Sequence, residues 1–210
     1  MPHTQLILLR HGETIWNREH RIQGHLDSPL SEAGIAQAEA LAERLAATHF
    51  DALYSSDLGR AQLTAQKIGA ASGREIIAEA GLRERNLGIL QALTRAEAQH
   101  IHPEIYARYR TLGPDYQVPG GESAQQFVAR VADTCRALAE KHDGKIIVAV
   151  THGGVLDAMY RHATGAPLDG ARNTVLLNAS VNRFDFVEGR WRLVTWGDVA
   201  HLCGASLDDV

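Results

Sequence analysis

Two short apolar runs without a polar break, Leu6-Ile7-Leu8-Leu9 and Ile146-Ile147-Val148-Ala149-Val150, set the terms on which this chain can fold. A strand with one wet face alternates apolar and polar residues. A run with no alternation is covered on both faces, as parallel strands flanked by helices are. Asp51-Ala52-Leu53-Tyr54-Ser55 is a shorter run of the same kind, and Glu75–Ala78 reads as a further strand. Between these runs the spacing turns helical. Ile35, Ala38, Leu41, Ala42 and Leu45 recur at the 3.6-residue period, with Ser31 as N-cap of a helix reaching about Thr48. Further helices are expected over Asp57 to Ala70, Ser123 to His142 and Gly154 to His162. Strands alternating with helices predict an α/β layer protein with a mostly parallel sheet. Near the C-terminus, Val181–Val187 and Trp191–Trp196 flank Glu188-Gly189-Arg190, an expected antiparallel hairpin closing one sheet edge.

The middle of the chain has no strand pattern. Thr94-Arg95-Ala96-Glu97 and Ser123-Ala124-Gln125-Gln126 each fit a capping box, and Pro103, Gly113, Pro114 and Pro119-Gly120-Gly121 punctuate the stretch between them. Residues 94–122 are expected to form a helical insertion over the active site, within a single domain spanning 1–210. Substrate choice is expected to be set by the stretch 85–122 that includes this insertion.

Composition narrows the function. With 45% hydrophobic and 22% charged residues, the 210-residue chain is ordinary globular material. No apolar run reaches the ~18 residues of a membrane span, and the first residues lack a secretory pattern. Cys135 and Cys203 are too few for a disulfide framework, and Cys135 sits among helical core positions. These features predict a cytosolic protein with no membrane partner. A net charge of −4 weighs weakly against a nucleic-acid partner. A homodimer is left open. Serine-hydrolase elbows, P-loops and His-Glu-x-x-His or Cys-x-x-Cys metal motifs are absent from the sequence. Position 141 is Lys and 209 is Asp, so neither cysteine has the Arg six residues on that a cysteine phosphatase needs.

The chemistry gathers at three strand-to-helix junctions, where open α/β sheets bind ligands. Arg10-His11-Gly12 follows the first run, Arg60 opens the helix after the second, and Thr151-His152-Gly153 follows the last. With the strands parallel, Arg10, His11, Arg60 and His152 face one crevice. Two guanidiniums and two imidazoles suit a small dianion, and phosphate best, because arginine forks match its oxygens. A neutral imidazole can attack phosphorus and divide one displacement into two. Glu84, in Leu82-Arg83-Glu84-Arg85, is the candidate proton donor and base.

Leu9-Arg10-His11-Gly12-Glu13-Thr14 with Trp16-Asn17 resembles the signature of the histidine phosphatase (phosphoglycerate mutase-like) superfamily. The resemblance continues through Gln23-Gly24, Asp27-Ser28-Pro29-Leu30-Ser31, Tyr54 to Ala61, Leu82-Arg83-Glu84, Pro119 to Ser123 and Val150 to Gly154. It implies a three-layer α/β/α sandwich and a phosphomonoesterase of the broad-specificity or α-ribazole type. It implies phosphorylation of His11 and a phosphate pocket of Arg10, Arg60 and His152. Glu84 falls at the acid and base position, with Asn17, Gln23 and the Gly153 backbone adding hydrogen bonds. The mechanism uses no metal and no cofactor, and the partner is a small phosphorylated metabolite. Two alternatives stand. One is a bisphosphoglycerate-dependent mutase, for which Gly88 to Leu93, Arg108 and Arg110 speak; the other is a phosphoester-binding protein without catalysis.

Overall fold

The computed structural model describes residues 3–169 and 174–202; Cys203 lies outside them. Six strands form one sheet: β1 (Thr4–Arg10), β2 (Ala52–Ser55), β3 (Ile76–Ala78), β4 (Ile146–Thr151), β5 (Val181–Val187) and β6 (Arg190–Asp198). Their order is β3-β2-β4-β1-β5-β6. The first four are mutually parallel, and β5 and β6 add antiparallel strands at one edge. The expected hairpin is therefore present, with Glu188 and Gly189 both at positive φ in its two-residue turn.

The unbroken apolar runs are covered on both faces, as their composition predicts. Leu6, Leu8, Ile147 and Ala149 pack under α6 (Ala124–Lys141) and α7 (Gly153–Thr164). Their neighbours Ile7, Leu9, Val148 and Val150 pack under α2 (Glu32–Ala46) and α3 (Gly59–Ser72). This is the three-layer sandwich. Each fully buried aliphatic contributes about 1.5–3 kcal/mol, and Cys135 is one of the buried positions on the inner face of α6. No helix among the described residues is long and apolar enough to cross a membrane.

Three boundaries depart from expectation. α3 begins at Gly59 rather than Asp57, because its first N–H groups are capped from another loop: Asp27 accepts from Gly59 N at 2.7 Å and Arg60 N at 3.3 Å. The Asp57 carboxylate is instead paired with Arg83. The insertion holds two helices, α4 (Arg95–Ile101) and α5 (Pro103–Thr111), broken where Pro103 restarts the chain at N1. A four-residue helix, α1 (Ile15–Arg18), follows His11 with a Thr14–Asn17 capping box, too short to show a period in the sequence.

Arg44 on α2 ties the hairpin's far end, bonding Asp198 and His201. That Arg44 hydrogen bond holds the Asp198 carboxyl down at about 2. A carboxyl depressed on folding stabilises the fold above its unfolded value, near 3.9, and that contribution is lost as pH falls toward 2. Thermal unfolding of Asp198→Asn followed from pH 5 to 2 is expected to show a flatter acid limb than the parent; an identical slope would contradict the assignment.

Candidate active site

Strand register builds the site. Arg10 pairs with Thr151 across β1 and β4, so the next residues, His11 and His152, emerge side by side with ring centroids 5.2 Å apart. The His11 loop is pressed against α2 where no side chain fits: a Cβ on Gly34 would lie 1.9 Å from the Glu13 carbonyl oxygen. Backbone bonds hold it there. Gly12 N donates to Thr64 Oγ1 at 3.1 Å, Glu13 N to Gln37 Oε1 at 2.9 Å, and Asn178 Nδ2 to the His11 carbonyl at 3.0 Å.

His11 is 3% exposed, and its Nδ1 lies 2.7 Å from the Gly12 carbonyl. A carbonyl only accepts, so Nδ1 carries the proton and Nε2 keeps its lone pair. Burial, followed by the Arg60 and Arg10 guanidiniums, pushes the His11 pKa well below the ordinary imidazole value. His152 is fully buried and lowered for the same reasons, burial first and Arg60 next. Ser56 Oγ accepts from Leu58 N and lies 2.8 Å from His152 Nε2. His152 Nδ1 has no partner among the described residues; a serine proton given to Nε2 would leave it as a donor.

Arg60 is 1% exposed. The 23–27 loop wraps it: Gly24 and Leu26 carbonyls accept at 2.8 Å and Asp27 Oδ1 at 2.9 Å. Its Nε is buried and unpaired. Burial lowers its pKa, against the pull of Glu84 and Asp27. Arg10, 5% exposed, donates to the Leu176 carbonyl. The capping box of α1 engages Asn17 Oδ1 at 3.0 Å from Thr14 N, which fixes the amide beside His11. Gln23 and Gly153 also line the cleft, Gln23 with a buried, unpartnered Oε1.

Glu84 enters from the opposite side. Its Oε1 accepts from Arg85 N at 2.7 Å and its Oε2 from Gly154 N, in the first turn of α7, at 2.9 Å. The neighbouring arginines do not pair with it: Arg83 takes Asp57. Gly154 is glycine for a reason, since a Cβ there would lie 2.0 Å from Glu84 Oε1.

The cleft, about 360 Å³, brings together Arg10, His11, Asn17, Gln23, Arg60, Glu84 and Gly153. His152 is not part of the cleft lining, but its buried ring lies 5.2 Å from that of His11. The outer part takes residues from the 85–122 stretch expected to govern substrate choice, together with apolar residues that the sequence did not single out. Phe127, Val128 and Leu168 give it apolar wall, and Arg85 and Tyr109 reach in from the segment after Glu84. Arg85 stacks its guanidinium 5.7 Å over Tyr109 and bonds the Glu122 and Tyr116 carbonyls. Arg108 and Arg110, the basic residues expected to face a second anion, are exposed on α5 and off the cleft wall. Helical rotation explains this, because packing Tyr109 inward turns its neighbours outward. Among the described residues no group of three His, Cys, Asp or Glu could hold a metal ion.

Comparison with known proteins agrees with this geometry. The family model of the histidine phosphatase superfamily (branch 1) matches residues 6–199, and the chain belongs to that superfamily. It is 43% identical over 202 residues to the metal-independent phosphoserine phosphatase of Arabidopsis thaliana, covering 95% of this chain and 83% of that protein. It is 42% identical over 206 residues to phosphoglycerate mutase-like protein 4 of the same plant, covering 96% and 88%. The solved structure of Bacillus stearothermophilus YhfR superposes with a TM-score of 0.87 at 32% identity, covering 94% of this chain and 98% of that one.

The electrostatics yield a direct test. In ¹⁵N-detected histidine spectra, the His11 and His152 rings are expected to stay neutral when the pH is lowered to 6.5. A midpoint at or above 6.5 for either ring would contradict the lowered values.

Proposed function

We propose that the protein hydrolyses small phosphomonoesters through a phosphohistidine on His11. The observation that carries this reading is a neutral, buried imidazole with its Nδ1–H held by Gly12 and its Nε2 lone pair free, set between Arg10 and Arg60. In the first step Nε2 attacks phosphorus, the P–O ester bond breaks, and a protonated Glu84 gives its proton to the leaving alkoxide. The imidazole becomes cationic, and the Gly12 carbonyl at Nδ1–H stabilises that charge. Arg10, Arg60, Asn17, Gln23, the Gly153 N–H and the His152 Nδ1–H suit the three equatorial oxygens of the transferring group, whose charge is spread in the transition state. In the second step Glu84, now a carboxylate, takes a proton from water as the oxygen attacks phosphorus. The P–N bond breaks, and phosphate and neutral His11 are restored. A cytosolic location fits a substrate drawn from small metabolites.

The outer cleft suits a leaving group with an anionic end. Arg85 presents a cation whose burial lowers its pKa, and it has no carboxylate in ion-pair contact among the described residues. A carboxylate-bearing phosphoester such as phosphoserine meets that demand, which is in line with the phosphoserine phosphatase among the relatives.

Hydrolysis of p-nitrophenyl phosphate in excess chelator is expected from the parent and to fall at least about a thousand-fold in His11→Ala. Glu84→Gln is expected to lose about 10²–10⁴ in turnover and to leave an acid-labile, alkali-stable phosphoenzyme on His11, trapped by an alkaline quench. Undiminished activity in His11→Ala would sink the reading. For the outer cleft, the preference for phosphoserine over phosphoethanolamine, measured as a kcat/KM ratio, is expected to shrink about tenfold or more in Arg85→Gln. A ratio left unmoved would remove Arg85 from recognition.

A further inference from the structure

Among the described residues the Glu84 carboxylate accepts hydrogen bonds from main-chain donors alone, Arg85 N and Gly154 N. Its position therefore depends on where the main chain at residue 84 is held. Two side chains from distant parts of the fold hold it. His25 Nε2 donates to the Glu84 carbonyl at 2.8 Å, and Arg130 Nη2, from α6, donates to the same oxygen at 3.3 Å. Arg130 also donates through Nη1 to the carbonyls of Gly81 at 2.8 Å and Arg83 at 3.1 Å. It is fixed in turn by Glu122 Oε1 at 2.7 Å, and that same carboxylate oxygen accepts from Asn86 N at 2.9 Å.

The other end of the bracket is the phosphate pocket. His25 lies between Gly24 and Leu26, the two residues whose carbonyls grip Arg60. Its own N–H is pinned by Gln91 Oε1 at 2.6 Å. One rigid unit thus joins the guanidinium aimed at phosphate to the backbone of the residue assigned to proton transfer.

We propose that His25 and Arg130 are positioning residues for proton transfer by Glu84, clamping its carbonyl between the Arg60 loop and α6. The inference rests on the phosphohistidine reading above. It makes a claim that a merely stabilising role does not: loss of the clamp hurts the step in which the leaving oxygen needs a proton, and spares esters that leave without one. General acid assistance matters most for a poor leaving group.

The test uses the full chain and a series of phosphomonoesters running from p-nitrophenyl through phenyl to alkyl phosphates. kcat/KM reports phosphoenzyme formation, with Glu84→Gln as the benchmark. His25→Leu is expected to lower kcat/KM for alkyl phosphates about 10- to 100-fold and for p-nitrophenyl phosphate by less than about threefold. His25→Gln, which keeps an N–H donor of similar reach, is expected to return the alkyl value to within about threefold of the parent. Arg130→Met should steepen the leaving-group dependence in the same sense; since it also touches the core, His25→Leu decides the matter if that variant fails to fold. Equal losses across the series, or none at all, would overturn the proposal. If the parent cleaves no ester in the series, the phosphatase reading falls. If the parent cleaves them but Glu84→Gln leaves the dependence unchanged, the acid assignment falls, and the clamp with it.

Discussion

The site is organised around burial of the Arg60 guanidinium without full compensation. A cation taken out of water must find acceptors close by, and here it takes two loop carbonyls and one oxygen of a half-exposed carboxylate. That fixes the 23–27 loop. It also makes Asp27 available to cap α3, so the helix bearing Arg60 begins where the loop needs it. Burial first, and then the remaining positive field of Arg60, lowers the pKa of both His11 and His152 and favours the uncharged rings. A neutral imidazole amid fixed cations is a nucleophile already arranged around a dianion.

The net charge of −4 is no guide to this hollow. Local field outweighs the global sum because Arg10 and Arg60 share one sheet edge in a low-dielectric recess.

Much of the framework was legible because it follows from period and register. Runs such as Leu6–Leu9 and Ile146–Val150 admit no exposed face, so a parallel sheet covered by helices was the available solution. Once parallel, the sheet brings residues after β1 and β4 together, and the motif spacing named His11, Arg10, Arg60 and His152. What stayed hidden depends on contacts between distant segments. The start of α3 is set by Asp27, thirty-two residues earlier. The inward turn of Tyr109 depends on which face of α5 meets the small cluster around Leu90, Ala98 and Val118. The place of Arg85 on the cleft wall likewise depends on Tyr109 and on the Tyr116 and Glu122 carbonyls, which come from later in the chain.

Several bonds that shape the nucleophile come from the far end of the chain. Asn178 reaches the His11 carbonyl across 167 positions, and Arg10 bonds the carbonyl of Leu176. Contacts of such sequence separation carry a loop-closure cost that the local helices do not. A nascent chain that has formed β1, β2 and β4 already owns its histidines and arginines, yet it lacks the segment that shapes them into a pocket. The pocket is therefore complete only with the segment that leads into β5 seated beside β1, so the C-terminal hairpin is part of the site's architecture as well as the edge of the sheet.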